Sequence, residues 1–384
     1  MSNDLDFRAL TGGIDNPFVA DWKKEGRPVA GYFCSHAPEE LLTAAGALAI
    51  RMRGSGSEST ARADAFLGSV NCSFVRHTLD RLLAGDLEFL DAVVVTNSCD
   101  HIRRIYDILH TKNVVPLPLY LDVPHVRGED ALGRLVAQLE AMKTALEGAF
   151  GVSISNEDLR EAIALHNRTR RLLARAAELR SSRPDRLSGS DLLAFAVASA
   201  SVPRALFNEA LEERLDAIER SSAGAETAPG GNGAGPQGPR LMLVGGILDD
   251  PSYVEVFEDL GASIVADALC CCSKTFSVLA DEDGDPLEAI ARRLLDHVPC
   301  PRMVADYQTR LDDILSAVER HRVDAVVCER LKFCDLWAGE TKMLARSLRE
   351  ERGIPLLVLE REYLTQSGIG QMRTRVQAFL ESLG

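Results

Sequence analysis

The sequence predicts an α/β protein built on two open parallel sheets joined by a helical connection. Three observations lead there: short β-branched runs recur in two blocks, helical spacing fills the gaps between them, and the stretch separating the blocks carries a helical period with no strand signal. In the first block VAGYFC (29–34), DAVVVTNS (91–98) and VVPLPLYLD (114–122) read as strands, while 38–50 and 100–109 read as helices. Alternation of this kind is the βαβ pattern, whose crossovers make neighbouring strands parallel. Residues 128–220 then place Leu135, Leu139, Met142 and Leu146 along one helical stripe and Leu165, Leu172 and Leu173 along another. The segment SSAGAETAPGGNGAGPQGP (221–239) has no apolar period and reads as a flexible linker. After it, LMLVGG (241–246), ASIVAD (262–267), VDAVVC (323–328) and IPLLVLE (354–360) repeat the strand pattern, with helices expected at 251–260, 286–297, 304–321 and 338–351. The expected organisation is an N-terminal domain over 1–127, a helical connection over 128–220, the linker, and a C-terminal domain over 240–384. In open parallel sheets ligands bind at the carboxyl ends of the strands, so candidate residues are sought there.

Composition narrows the function classes. Of 384 residues 46% are hydrophobic and 26% charged, and no apolar run approaches the roughly 20 residues a membrane span needs. A net charge of −14 argues against nucleic acid, whose binders neutralise phosphates with clustered Lys and Arg. The start, MSNDLDFRAL, lacks the basic and then apolar pattern of an export signal, so the reducing cytoplasm is the expected compartment. Nine cysteines in that compartment ask for a role other than disulfides.

Cys34 closes the run VAGYFC, Cys99 follows VVVTNS, Cys270 follows IVADAL and Cys334 lies just past VDAVVC, so four thiols stand at strand ends. Cys72 and Cys300 each stand at an expected helix start, where backbone N–H groups and the helix dipole favour a thiolate. Cys328, inside an apolar strand, and Cys271 and Cys272, extra members of a run of three, read as buried small residues. The bland alternative, inert buried thiols, applies to any one of the six. Zinc is a second alternative, although no C-x-x-C or H-x-x-x-H pair is present. Thiolates dispersed over two domains suit an iron-sulfur cluster in the cleft between them.

The segments GYFCSHAPEELLTAAG (31–46), VNCSFVRHTLD (70–80), VVVTNSCDHIRRIYD (93–107), ERLKFCDLWAGE (329–340), GIPLLVLEREY (353–363) and GQMRTRVQAFLESL (370–383) resemble, in order, the 2-hydroxyacyl-CoA dehydratase and benzoyl-CoA reductase subunit family. The resemblance implies two Rossmann-like domains with a 4Fe-4S cluster between them, held by Cys72, Cys99 and Cys334. It also implies a similar partner subunit and a separate ATP-hydrolysing iron-sulfur activator that delivers low-potential electrons. The chain departs from that three-cysteine pattern by adding Cys34, Cys270 and Cys300. In this it resembles the family's double-cubane branch, in which six cysteines of a homodimer hold two 4Fe-4S units joined by a sulfide, an 8Fe-9S group.

The family chemistry implied is dehydration of a 2-hydroxyacyl-CoA, where one electron added to the thioester makes an otherwise inert β-hydrogen acidic. An open iron site can serve as Lewis acid. Glu40, in the APEE after Cys34, matches the family's acidic position and reads as a base or hydrogen-bond partner, with a first-turn helix carboxylate as the plain alternative. His36 and His77, near Cys34 and Cys72, can move protons or be ordinary loop histidines. Arg103 and Arg104, one turn past Cys99, can screen cluster or CoA charge or form a solvated face. Gly233, Gly235 and Gly238 satisfy G-x-G-x-x-G but precede a strand instead of following one, and no P-loop, G-x-S-x-G or H-E-x-x-H occurs. Three readings remain: an oxygen-sensitive dehydratase subunit, an ATP-dependent double-cubane reductase of another small molecule, and a non-catalytic cluster-bearing partner of a paralogue.

Overall fold

The computed structural model describes residues 5–223, 238–297, 300–364 and 368–384. The chain starts with α1 (Pro17–Lys24), capped by Asn16, and enters β1 (Val29–Tyr32), α2 (Glu39–Ala44) and β2 (Leu48–Arg51). Here the structure corrects the sequence reading, which carried one helix over 38–50. The helix stops at Ala44, Gly46 turns the chain at φ +76°, and the apolar residues that follow form a buried strand. A short α3 (Ala61–Asp64) and α4 (Ser73–Ala84) lead to β3 (Ala92–Thr96), α5 (Asp100–Lys112) and β4 (Leu117–Leu121). All four strands pair in parallel in the order β2-β1-β3-β4. The direction of winding reverses between β1 and β3, so the loops that open the crevice are those carrying Cys34 and Cys99.

Four helices make the connection: α6 (Glu129–Phe150), α7 (Asn156–Ser182), α8 (Gly189–Ser199) and α9 (Arg204–Ala223). Serine capping boxes at Ser155 and Ser188 start α7 and α8. The expected linker falls largely on residues 224–237, which lie outside the described residues, as do Gly233 and Gly235.

The second sheet contains β5 (Arg240–Gly245), β6 (Ser263–Ala268), β7 (Ala325–Leu331) and β8 (Leu356–Arg361), parallel in the order β6-β5-β7-β8. Between them run α10 (Pro251–Asp259), α11 (Ser273–Phe276), α12 (Pro286–Asp296) and α13 (Tyr307–Arg320), then α14 (Asp335–Leu344), extended by a π-helical turn over Ala345–Glu350, and after β8 comes α15 (Ile369–Glu381). Two glycines end β5 because nothing larger fits. A Cβ on Gly245 would meet the Glu329 carbonyl at 2.6 Å and one on Gly246 the Trp337 ring at 3.1 Å.

The two sheets do not have separate cores. From the second half, Ile290 and Leu294 of α12 share a buried cluster with Leu135, Leu139 and Met142 of α6 and Val94 of β3. In the other direction Phe7 and Leu10 pack with α8, α9 and β5. Leu331 and Tyr363 join the core beneath Cys72. Among the described residues no helix is long and apolar enough to cross a membrane.

Candidate functional site

Loops at the carboxyl ends of the two sheets interlock. The Ser35 hydroxyl donates to the Cys270 carbonyl at 2.9 Å, Tyr363 N–H to the Ser73 hydroxyl at 2.8 Å, and Arg302 Nη2 to Asn97 Oδ1 at 3.0 Å. Six thiols lie in these loops, and they divide into two groups.

Cys72, Cys99 and Cys334 occupy the N-caps of α4, α5 and α14, none of which has a side-chain cap hydrogen bond. The free backbone N–H groups of those first turns still favour the thiolates, those of Phe74 and Val75 at Cys72, of His101 and Ile102 at Cys99, and of Trp337 at Cys334. Burial outweighs this help and raises all three, Cys334 to about 12, and Cys72 and Cys334 raise Cys99 further. Their shell is apolar, with Cys72 in a core containing Phe33, Phe74, Ile102 and Leu331 and the other two packed against it. His101 ties the group together: its Nδ1 accepts Cys72 N–H at 3.2 Å and its Nε2 lies 3.8 Å from Asp335.

Cys34, Cys270 and Cys300 sit on turns. For Cys300 this corrects the expected helix start. Pro301 mimics a first helical residue, but Met303 N–H closes a turn on the Cys300 carbonyl at 2.8 Å, a 3-10 turn follows at Val304–Asp306, and α13 begins only at Tyr307. The Cys270 sulfur lies 4.0 Å from the Gly245 carbonyl, and Cys270 and Cys300 titrate as a pair: their mutual interaction, with Lys274 helping and burial opposing, favours the thiolate at Cys300 over that at Cys270. The Cys34 sulfur lies 3.5 Å from His36 Nδ1 and is also felt by Cys300. Three buried cations surround this group. Arg51 Nη1 donates to the Cys270 carbonyl at 2.8 Å and to the Ser35 hydroxyl at 3.1 Å. Arg302, 2% exposed, donates to the Val123 carbonyl at 2.7 Å and to Asn97. Lys274 is 4% exposed, its ammonium 5.1 Å above the Trp337 ring. The two groups touch electrostatically through Cys300, whose charge raises Cys334.

All nine cysteines are unpaired; Cys271, Cys272 and Cys328 are buried, whereas of the six only Cys72 is, the others being partly exposed. Among the described residues no three His, Cys, Asp or Glu side chains stand close enough to hold a single metal ion. Glu40 is fully buried, its carboxylate 2.5 Å from Arg170 and 3.1 Å from Arg293. Burial opposes its ionisation, but the two guanidinium groups hold it well below the usual carboxylate range. His36 is buried against His297, ring centroids 5.1 Å apart, and desolvation with Arg302 lowers it to about 3, so it is neutral. His77 faces away, bonded to the Ser57 hydroxyl at 2.9 Å. Arg104 is exposed; Arg103 pairs with Asp100 at 3.0 Å on the wall of an open cleft of about 580 Å³. Cys99, Asn97, Tyr120, His125, Arg302 and Asp335 also line that cleft. Sequence reasoning missed Arg51, Lys274, Arg302 and His101. The signal available was proximity alone, since each stands within four residues of a candidate cysteine or at a strand end.

Comparison with known proteins places the chain in a family. The family model for the 2-hydroxyglutaryl-CoA dehydratase D-component matches residues 34–383. The chain is 29% identical over 371 residues to "Putative dehydratase subunit YjiM" of Escherichia coli (strain K12), covering 95% of this chain and 94% of the relative. It is 26% identical to "Lactoyl-CoA dehydratase subunit beta" of Anaerotignum propionicum over 94% of each chain. To a subunit of the benzoyl-CoA reductase of Thauera aromatica it is 25% identical, covering 98% of this chain and 96% of the relative.

Proposed function

The chain belongs to the 2-hydroxyglutaryl-CoA dehydratase D-component family, and from that premise we propose that it is the iron-sulfur subunit of a 2-hydroxyacyl-CoA dehydratase-type enzyme. The observation that carries the proposal is six unpaired thiols in loops of both sheets, loops that hydrogen-bond to one another. The donor set fits such a group. Each thiolate of a cluster binds a different iron, so its ligands stand farther apart than those of a single ion. Sulfur donors with backbone N–H groups or cations at hand can hold negative charge. When bound, the cluster supplies a low-potential electron and an open iron site that acts as Lewis acid.

The chain's own residues do the rest. Cys72, Cys99 and Cys334 hold the group across the crevice, and each must lose its proton to do so. The apolar shell buries Cys72 and leaves Cys99 and Cys334 partly exposed, Cys99 on the wall of the cleft. The cleft beside Cys99 receives the acyl group, a volume in the range of small-molecule sites, with Arg103 and His125 at its wall. His36, buried and kept neutral by burial and Arg302, steadies the Cys34 sulfur through its Nδ1. Glu40, clasped by two arginines, anchors α2 and so positions the Cys34–His36 turn. A similar subunit and an ATP-hydrolysing activator complete the system.

A second reading, the double-cubane reductase, is favoured by the pairing of the six thiols into two linked groups of three. One experiment addresses both. The chain purified without oxygen and reconstituted with iron and sulfide is expected to be brown, and Cys99→Ser and Cys334→Ser to abolish assembly. Full iron content in both variants sinks the proposal. Turnover of an acyl-CoA is expected only with ATP, a strong reductant and the activator together; equal reduction by an ordinary donor without ATP defeats the activator requirement.

A further inference from the structure

Lys274 is held in an unusual way. It follows the Cys270–Cys272 run on α11, it is 4% exposed, and the recorded partner of its ammonium is the Trp337 ring at 5.1 Å. Among the described residues no carboxylate stands within ion-pair distance of it and no hydrogen bond to its ammonium is present. Asp313 of α13 feels its charge from beyond that range. A cation on a buried stem, with an aromatic face and no carboxylate beside it, is a place where an anion can complete the site. The other groups that respond to Lys274 are Cys270, Cys300 and His36. Both thiols belong to the turn group, and Trp337 lies three residues past Cys334, so the lysine bridges the Cys270 loop and the helix that Cys334 caps.

We propose that Lys274 is the counter-charge for the group held by Cys34, Cys270 and Cys300, stabilising the negative charge that reduction adds there. The inference rests on the iron-sulfur reading above and adds a positioning residue to it. A fixed cation beside a cluster favours its reduced form, so the lysine makes the bound group easier to reduce than the thiolates alone would allow. Arg51 and Arg302 bring charge to the same group but also fix its loops through carbonyl, hydroxyl and amide oxygens. Among the described residues no hydrogen bond of the lysine's ammonium ties a loop down, so its charge can be removed with the least disturbance.

The test uses the full chain, reconstituted without oxygen and titrated with dithionite, which supplies the electron, while the reduced signal is followed by electron paramagnetic resonance. Lys274→Met keeps the packing against Trp337 and removes the charge; Lys274→Arg keeps the charge. The expected result is unchanged iron and sulfide content with a more negative midpoint potential in Lys274→Met, restored in Lys274→Arg. Loss of iron in Lys274→Met but not in Lys274→Arg also supports the counter-charge. An unchanged midpoint in Lys274→Met at full iron content overturns it, as does equal iron loss in both variants, which marks a packing role. Absence of iron from the unsubstituted chain is a separate outcome that removes the iron-sulfur reading and this inference with it.

Discussion

The two groups of thiols solve the same problem by different means. At Cys72, Cys99 and Cys334 the help comes from the backbone, as the free N–H groups of three helix starts converge inside an apolar shell. At Cys34, Cys270 and Cys300 no helix begins, and side-chain cations from three separate segments do the work. Backbone donors come with the fold wherever a helix starts and cost nothing to assemble. Buried cations need desolvation, partners and close loop placement, so the second group depends on interactions far from the sulfur atoms. The first should therefore be the robust half of the site and the second the tunable half.

Three sets of substitutions press on that contrast, beginning with the thiols. Serine at Cys34, Cys270 or Cys300 is expected to leave about one cubane of iron per chain if the helix-capped group assembles independently, and none if a double cubane forms as one unit. Iron and sulfide analysis of each variant separates the two; native iron content in all three would remove the turn group from the site.

Next comes the support beneath the turn group. Glu40→Gln leaves Arg170 and Arg293 buried without their counter-ion, and breaking a buried pair of this kind costs roughly 3–5 kcal/mol. Urea unfolding should register that loss, and hydrogen exchange should rise first around residues 34–44. A loss below about 1 kcal/mol would mean that solvent reaches the pair, as at exposed bridges.

The smallest effect concerns acid. Asp267 holds the Cys270 loop: it accepts Ser273 N–H at 2.9 Å and Leu269 N–H at 3.2 Å and pairs with Arg180 at 2.8 Å. Although burial works against ionisation, Arg180 and the Ser273 donors lower its pKa below the ordinary value. A carboxylate depressed by folding contributes stability that is present above its unfolded pKa of about 3.9 and is lost as pH falls through the folded value. The iron-free chain should thus loosen at the Cys270 loop below about pH 4, and Asp267→Asn should flatten that part of the acid profile. Equal acid profiles for the two chains would contradict this.

How much of this was legible in sequence differs between the same two groups. Cys99 and Cys334 follow apolar strand runs and Cys72 precedes an amphipathic stretch, so a strand or a helix announced each of them. The cations of the turn group left no such trace, because a buried Arg or Lys has no period. Arg51 stood just past what reads as a helix over 38–50, since β2 is only four residues long and its one β-branched member is Ile50. The turn at Gly46 was the available signal. Cys300 failed for a related reason: a proline after a candidate cap promises a helix, and here the chain makes a 3-10 turn before α13. Seven of the strands stood out because they are near-continuous apolar runs, the pattern that parallel sheets covered by helices impose.

The packing of α12 against α6 has a consequence for synthesis. As the chain leaves the ribosome, Leu135, Leu139 and Met142 emerge well before Ile290 and Leu294, the residues that cover them. Neither sheet can complete its core until most of the polypeptide has been made, so the nascent N-terminal half waits with apolar surface open to chaperones or to its neighbours. Maturation of the thiol crevice, which also needs Cys334, then comes late in synthesis.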